Sequence, residues 1–132
     1  MEYLLDTNIC IYFLKGRYGL VEKMDKIGFE NLYISEITVA ELKFGVEKSD
    51  KPEKNRPIIN ELIDKFKILT IFSALDIFAK EKAKLKKEGK ILDDFDLLIG
   101  STAAQENMVL VTNNEKHFKR IRNLEIENWT IS

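Results

Sequence analysis

Short apolar runs with strand character alternate with helical spacings of apolar residues along nearly the whole chain. Strands are predicted over residues 2–5, 32–34, 68–72 and 108–111, and residues 124–127 alternate like an edge strand. Strands separated by helices pair in parallel, because each helix carries the chain back along the sheet. The sequence therefore predicts an α/β fold with a central, mainly parallel sheet of four or five strands and helices on both faces.

Length and composition predict one globular domain over residues 1–132. The formal net charge is −1, so nucleic-acid binding would have to come from a local site rather than from bulk charge. No apolar run is long enough to span a membrane, and we expect no secretory signal. The single cysteine, Cys10, lies between two isoleucines and is predicted to be a core residue in a protein of the reducing cytoplasm.

Polar residues indicate where the helices begin and end. Asp6 and Ser35 are placed to cap two helices, and Ser73 with Asp76 has the spacing of a capping box. The other segments are predicted as loops over residues 48–57 and 90–95, a buried helix over 97–106 and a short helix over 116–121.

Asp6 directly follows the first predicted strand. In open α/β sheets ligands bind at this end of the strands, so its carboxylate would lie at a binding rim. The simpler interpretation is an N-cap, which stabilises a helix by about 0.5–2 kcal/mol. The sequence leaves both interpretations open.

Glu41 lies on a predicted helix with Ile37, Ala40 and Phe44. At about 100° per residue, Glu41 falls within the apolar stripe of these residues and is predicted to point towards the core. An ionised carboxylate there would be costly unless it is paired, protonated or bound to a metal. The alternative is a capping box with Thr38.

Asp96 opens the most buried predicted helix, and Asp93 and Asp94 come just before it. One of these acids is expected to cap the helix, where negative charge also suits the helix dipole. Three acids exceed what a cap requires. The surplus favours a catalytic or metal-binding role.

The polar run Thr112, Asn113 and Asn114 would lie at the same rim as Asp6 if their two strands are parallel. It predicts either a turn or groups that hydrogen-bond to a carboxylate, a metal-bound water or a phosphate. Three carboxylates gathered at this rim would repel one another, and a hard divalent cation with oxygen ligands removes that repulsion. The chain has no Cys/His set for zinc, so Mg²⁺ or Mn²⁺ is the expected cofactor.

Five segments, taken in order, resemble the PIN domain and within it the VapC-type toxins of toxin–antitoxin pairs. They are LLDTN at 4–8, ISEITVAELKFGV at 34–46, DDFDLLIGSTA at 93–103, LVTNNEKHFKRI at 110–121 and LEIENW at 124–129. Each segment alone is a weak indication. The ordered set spans essentially the full length and is specific.

The resemblance implies an endoribonuclease in which Asp6, Glu41 and Asp96 hold Mg²⁺ or Mn²⁺ directly or through waters. A metal-activated water would then hydrolyse an RNA phosphodiester bond. It also implies a homodimer and a VapB-type antitoxin that covers the site. The fourth acidic position of many members falls on Asn114 or near His117 here, with Asp94 as a possible substitute.

Basic residues that follow the Thr112 turn are candidates for contacts with the RNA backbone: Lys116, Lys119, Arg120 and Arg122. The lysine-rich run over residues 80–90 is interpreted as a solvated helix face. His117 is expected at the surface, and the alternative is a role in proton transfer.

Three other classes of protein share features with this sequence. A non-catalytic binding module could keep the fold, and a metal titration would identify it. A receiver-like phosphoacceptor needs an aspartate at the end of the third strand, where Ile71, Phe72 and Ser73 stand. A haloacid-type phosphatase needs a second aspartate where Asn8 stands.

Overall fold

One five-stranded sheet organises the chain, and every strand pair in it is parallel. The computed structural model describes residues 1–131. The strands are β1 (Tyr3–Leu5), β2 (Leu32–Ser35), β3 (Lys67–Leu69), β4 (Val109–Val111) and β5 (Ile126–Glu127), in the order β3-β2-β1-β4-β5. The predicted parallel sheet and the edge position of the last strand are confirmed.

Helices connect the strands and cover the sheet. They are α1 (Thr7–Leu14), α2 (Leu20–Ile27), α3 (Glu36–Glu47), α4 (Pro52–Asp64), α5 (Leu75–Lys87), α6 (Asp94–Gln105) and α7 (Glu115–Phe118). Within residues 1–131, no helix has both the length and the apolar character needed to cross a bilayer.

The sheet separates two hydrophobic cores. Leu5 is fully buried in the core beneath α1, α2 and α4, whereas Leu4 is fully buried in the core beneath α5 and α6. Successive side chains of a strand point to opposite faces, so a buried strand with helices on both sides is apolar at every position. Cys10 is buried in the first core, as predicted, and burial raises the pKa of its thiol.

The chain reverses direction across the sheet between β1 and β4. From β1 it proceeds outward through β2 to β3, then returns to the other side of β1 to form β4 and β5. Ligands of open α/β sheets bind in the crevice that such a reversal leaves at the carboxyl ends of the strands. The residues that follow Leu5 and Val111 lie at this position.

The predicted loop over residues 48–57 is wrong in its second half, because α4 begins at Pro52. Proline suits the first turn of a helix, where its missing N–H has no intrahelical partner. Pro57 lies farther inside the helix but is exposed, so water can reach the carbonyl group that its ring leaves without a donor.

The predicted third strand and the capping box that follows it are also wrong in detail. β3 ends at Leu69, and the Ile71 N–H donates to Glu36 Oε2 at 2.6 Å instead of continuing the sheet. A 3₁₀ turn over Phe72–Ala74 then leads into α5 without a side-chain cap. The Ser73 hydroxyl donates to Glu106 Oε1 at 3.2 Å.

Substitution by alanine is expected to change the stability of the protein in opposite directions at two helical glycines. A Cβ at Gly100 would clash with Ile121 Cδ1 and lie 3.2 Å from Phe118, both of which are buried. Overpacking costs about 1–3 kcal/mol and better helix propensity returns about 1, so Gly100→Ala is expected to lower the free energy of unfolding by about 1 kcal/mol. A Cβ at Gly45 would meet open space, so Gly45→Ala should raise the free energy of unfolding by about 0.5–1 kcal/mol.

Urea denaturation of both glycine variants and the wild type measures these changes. Equal shifts of the same sign would contradict the packing described around Gly100.

Candidate active site

Asp6 is both an N-cap and a residue of the sheet rim. Its N–H donates to the Val111 carbonyl at 2.9 Å, which extends the pairing of β1 and β4 by one residue. Its Oδ1 accepts from the Thr7 N–H at 2.8 Å, and Oδ2 accepts from the Thr112 hydroxyl at 2.8 Å. The side chain is only 5% exposed. The two interpretations that the sequence left open are therefore compatible.

Burial raises the pKa of Asp6, and the nearby charge of Glu41 raises it further. The hydrogen bonds from Thr112 and Thr7 act in the opposite direction, because both stabilise the ionised carboxylate. Asp6 is thus a desolvated acid. Neutral donors hold its carboxylate in place, rather than a lysine or arginine side chain.

The polar run after β4 is a hydrogen-bonded turn. The Asn114 N–H donates to Thr112 Oγ1 at 3.0 Å, so the hydroxyl is left to donate its single proton to Asp6. Asn113 Nδ2 donates to the Tyr12 hydroxyl at 3.2 Å. Asn114 Nδ2 lies 2.8 Å from Nδ1 of the exposed His117. Thr112 therefore contacts the Asp6 carboxylate, whereas Asn113 links the turn to α1 and Asn114 links it to α7.

Glu41 points towards α1. Its Oε1 accepts from the Thr7 hydroxyl at 2.6 Å, and Thr7 Oγ1 also lies 3.0 Å from Thr38 Oγ1. The predicted cap at Ser35 is confirmed, because its hydroxyl accepts from the Ile37 N–H at 3.0 Å, and the alternative of a capping box with Thr38 is excluded. Glu41 is instead half-buried and hydrogen-bonded within the cleft.

The apolar stripe predicted for α3 is wrong. The buried face consists of Thr38, Leu42 and Val46, whereas Phe44 is 65% exposed and lies against Lys48. Helical periodicity shows which residues share a face but not which face the rest of the chain covers. Glu41 lies at the edge of the buried face, from where it reaches Thr7.

Asp96 does not cap α6, because Asp93 does. Asp93 caps α6, accepting from the Phe95 and Asp96 N–H groups at 3.1 and 3.4 Å. Burial raises the pKa of Asp96 to about 6, and the charges of Asp6, Asp93 and Glu41 contribute to the rise in that order. Asp6 and Glu41 therefore lie near enough to Asp96 for their charges to raise its pKa.

The three acids fit a cation held partly through water. Within residues 1–131, no three Asp, Glu, His or Cys side chains converge as a ready-made cage for an ion. Asp6 and Glu41 are turned towards threonine hydroxyls, each with further oxygen lone pairs that can accept a ligand. Mg²⁺ typically takes one or two carboxylates and keeps several waters, which matches an all-oxygen, mutually repelling donor set of this kind.

Asp94 and the predicted RNA-binding arginines have other partners. Asp94 pairs with Lys82 at 3.0 Å, and its role as a fourth ligand stays a prediction. Arg122 pairs with the buried Glu81 at 2.7 Å, and Arg120 Nη1 donates to the Ile91 carbonyl at 3.1 Å.

Lys116 and Lys119 are exposed and form no ion pair in the part of the chain that the structure describes. Both ammonium groups are therefore available to a phosphate.

Sequence reasoning missed the roles of Thr7 and Thr38. Thr7 follows the key acid directly, and Thr38 precedes Glu41 by one helical turn. These spacings indicate which residues could meet, but only the packing of α1 against α3 brings the two hydroxyls together.

Asp96→Asn is expected to raise the thermal midpoint at pH 7.5 in the presence of EDTA. The pKa of Asp96 in the folded protein is about 6 against an ordinary value of 3.8, so the folded state binds more protons between these values. Stability is therefore full below about pH 4 and falls as the pH rises through 6. The asparagine variant escapes this loss.

Thermal melts of both proteins between pH 4 and 7.5 at constant ionic strength measure the difference. The advantage of the variant should vanish near pH 4. An advantage of the same size at every pH would contradict a raised pKa at Asp96.

Comparison with known proteins identifies the family to which these features belong. The sequence profile of the PIN domain matches residues 3–124. Ribonuclease VapC2 of Rickettsia felis is 40% identical over 134 residues, which cover 98% of each chain. The tRNA(fMet)-specific endonuclease VapC of Shigella flexneri is 30% identical, with 98% of this chain and 99% of the relative covered.

The fold agrees with this relationship. The crystal structure of DNA-bound VapBC from Salmonella typhimurium matches with a TM-score of 0.91 and 31% identity, over 98% of each chain. The resemblance inferred from the five ordered segments is confirmed. The chain belongs to the PIN-domain family and, within it, to the VapC group.

Proposed function

We propose that this protein is the toxin of a toxin–antitoxin pair and an endoribonuclease that hydrolyses RNA phosphodiester bonds with Mg²⁺ or Mn²⁺. The observation that carries the proposal is the hydrogen bonding at the sheet rim, where Asp6 and Glu41 accept from threonine hydroxyls and their charges act on Asp96. Relatives named as ribonucleases support it. An RNA substrate in turn implies action in the cytoplasm.

The residues of the chain would divide the work as follows. Asp6 and Asp96, with Glu41, would hold the cation directly or through waters. When bound, the cation supplies an activated water and stabilises charge on the leaving oxygen. Thr112 orients Asp6 by donating to Oδ2, and this hydrogen bond favours the ionised form of the carboxylate against the effect of burial.

RNA would approach along the rim that carries the Thr112 turn. Lys116 and Lys119 follow this turn, are exposed, and would contact phosphates next to the cleft. Arg120 and Arg122 are proposed contacts too, although both already make contacts within the chain. A tRNA is the first substrate to test, because the Shigella relative is named as a tRNA endonuclease.

A VapB-type antitoxin and a second copy of the chain are the proposed partners. The Salmonella relative was solved as a VapBC complex. A cluster of three acids would attract a basic side chain of the antitoxin. Phe44, Phe72 and Ile91 are 65%, 82% and 81% exposed and offer apolar surface to a protein partner.

Asp96→Asn is expected to reduce cleavage of tRNA at least about 100-fold, equivalent to ~2.7 kcal/mol of transition-state stabilisation. The amide cannot supply the charge that the cation requires. EDTA should abolish cleavage by the wild type, and Asp64→Asn, an exposed acid of α4, serves as the matched control. Gel analysis of the products measures each rate.

Asp94→Asn tests whether Asp94, the other acid in the first turn of α6, has the same role as Asp96. Because Asp94 already pairs with Lys82, we expect a smaller loss of cleavage rate from this variant. Retained cleavage in the Asp96 variant would contradict its catalytic role. Absence of both cleavage and Mn²⁺ binding in the wild type would favour a non-catalytic module.

Replacing Lys116 and Lys119 together by alanine should weaken RNA binding and its dependence on salt. Each lysine that neutralises a phosphate of a single strand contributes about 0.7 to the slope of log K against log salt, so a decrease of up to about 1.4 is expected. Filter binding with the cleavage-deficient Asp96→Asn protein measures the slope. Lys86 and Lys87, on the exposed face of α5, are the control pair, and an equal decrease there would contradict a localised RNA contact.

A further inference from the structure

We propose that Thr38 is a positioning residue that orients Glu41 through the hydroxyl of Thr7. The inference rests on the proposed metal-dependent nuclease, in which Glu41 helps to hold the cation. Thr38 is fully buried, so it does not itself meet the solvent, the cation or the RNA. Its effect must pass through Thr7, whose hydroxyl lies 3.0 Å away.

The number of protons gives this hydrogen-bond chain a direction. Thr7 Oγ1 lies 2.6 Å from Glu41 Oε1 and 3.0 Å from Thr38 Oγ1. A hydroxyl has one proton to donate, and an ionised carboxylate can only accept. Either hydroxyl can donate in the contact between Thr7 and Thr38. With the single proton of Thr7 donated to Glu41, we assign Thr38 as the donor to Thr7 and the start of the chain.

The direction matters because Thr7 and Glu41 belong to different helices. Thr7 is the first residue of α1, whereas Thr38 and Glu41 lie one turn apart on α3. With Thr38 holding the Thr7 hydroxyl, the proton of Thr7 is aimed at Oε1, and Oε2 is left to the cation or to one of its waters. Without Thr38, the hydroxyl of Thr7 can rotate and the carboxylate loses its fixed donor.

The arrangement at Asp6 supports this assignment because it has the same logic. There the Asn114 N–H donates to Thr112 Oγ1, and the Thr112 hydroxyl donates to Asp6. Each of the two acids thus receives the proton of a threonine whose oxygen is occupied by a second donor.

A third buried threonine shows the ordinary alternative. The hydroxyl of Thr102 donates to the Leu98 carbonyl of its own helix at 2.8 Å, the local bond that helical threonines commonly make. Thr38 is equally buried, but its hydroxyl lies against Thr7 of another helix. The pair Thr38 and Thr102 therefore offers a matched comparison of the same side chain in two roles.

The test measures Mn²⁺ binding by electron paramagnetic resonance and calorimetry for the wild type, Thr38→Val, Thr38→Ser and Thr102→Val. We expect Thr38→Val to raise the dissociation constant about tenfold, the size of one net hydrogen bond. Thr38→Ser, which keeps the hydroxyl, and Thr102→Val should both remain within about twofold of the wild type. Thermal melts establish that each variant is folded.

A double-mutant cycle with Glu41→Gln tests the route. If Thr38 acts through Glu41, Thr38→Val should have less than about a twofold effect once Glu41 is replaced. If Thr38→Val does not fold, Thr7→Val against Thr7→Ser tests the same chain at its next member, with the same tenfold loss and rescue expected.

The outcomes separate this inference from the proposed function. A wild type that binds Mn²⁺ and cleaves RNA, together with a Thr38→Val protein that behaves like Thr102→Val, would overturn the inference alone. Loss of binding in Thr38→Ser as well would also overturn it, since the hydroxyl would not be the cause. A wild type that neither binds Mn²⁺ nor cleaves RNA would overturn the proposed function.

Discussion

The parallel pairing of β1 with β4 determines where the candidate site lies. It aligns Leu5 with Val111 and continues through the bond from the Asp6 N–H to the Val111 carbonyl. Asp6 and Thr112, which are 106 residues apart, are therefore neighbours by strand register before any side chain is considered. Because the chain reverses across the sheet at this pair, no crossover helix closes the rim above them. The fold thus supplies both the crevice and its first carboxylate.

The electrostatics of the cleft are unusual for a buried site. None of Asp6, Glu41 and Asp96 forms an ion pair within residues 1–131, and the donors to Asp6 and Glu41 are hydroxyl and backbone N–H groups. Neutral donors orient a carboxylate without cancelling its charge. The remaining repulsion among the carboxylates destabilises the protein when no cation is bound, and a proton or a cation relieves it. Active sites commonly show such a trade-off between stability and function.

What could be predicted from the sequence was local or periodic. The cap at Asp6, the cap at Ser35 and the parallel sheet follow from neighbouring residues and from strand–helix alternation. The position of Phe44 could not be predicted, because the periodicity of α3 fits several orientations and the packing of other elements, including α4 and α6, decides among them. The partner of Glu41 was hidden for a related reason, since Thr7 comes from another helix and lies 34 residues away.

The family resemblance implies an acid in some members at the position of Asn114, which carries an amide in this chain. Its N–H orients Thr112, and its side chain meets His117. A carboxylate at this position would add a fourth negative charge to a cleft in which burial and three acids already raise the pKa of Asp96. Asparagine keeps the backbone donor that Thr112 requires and leaves out that charge. For the proposed metal site, the consequence is less repulsion among the acids and a weaker pull on the cation, so the orientation of Glu41 by Thr7 and of Asp6 by Thr112 matters more.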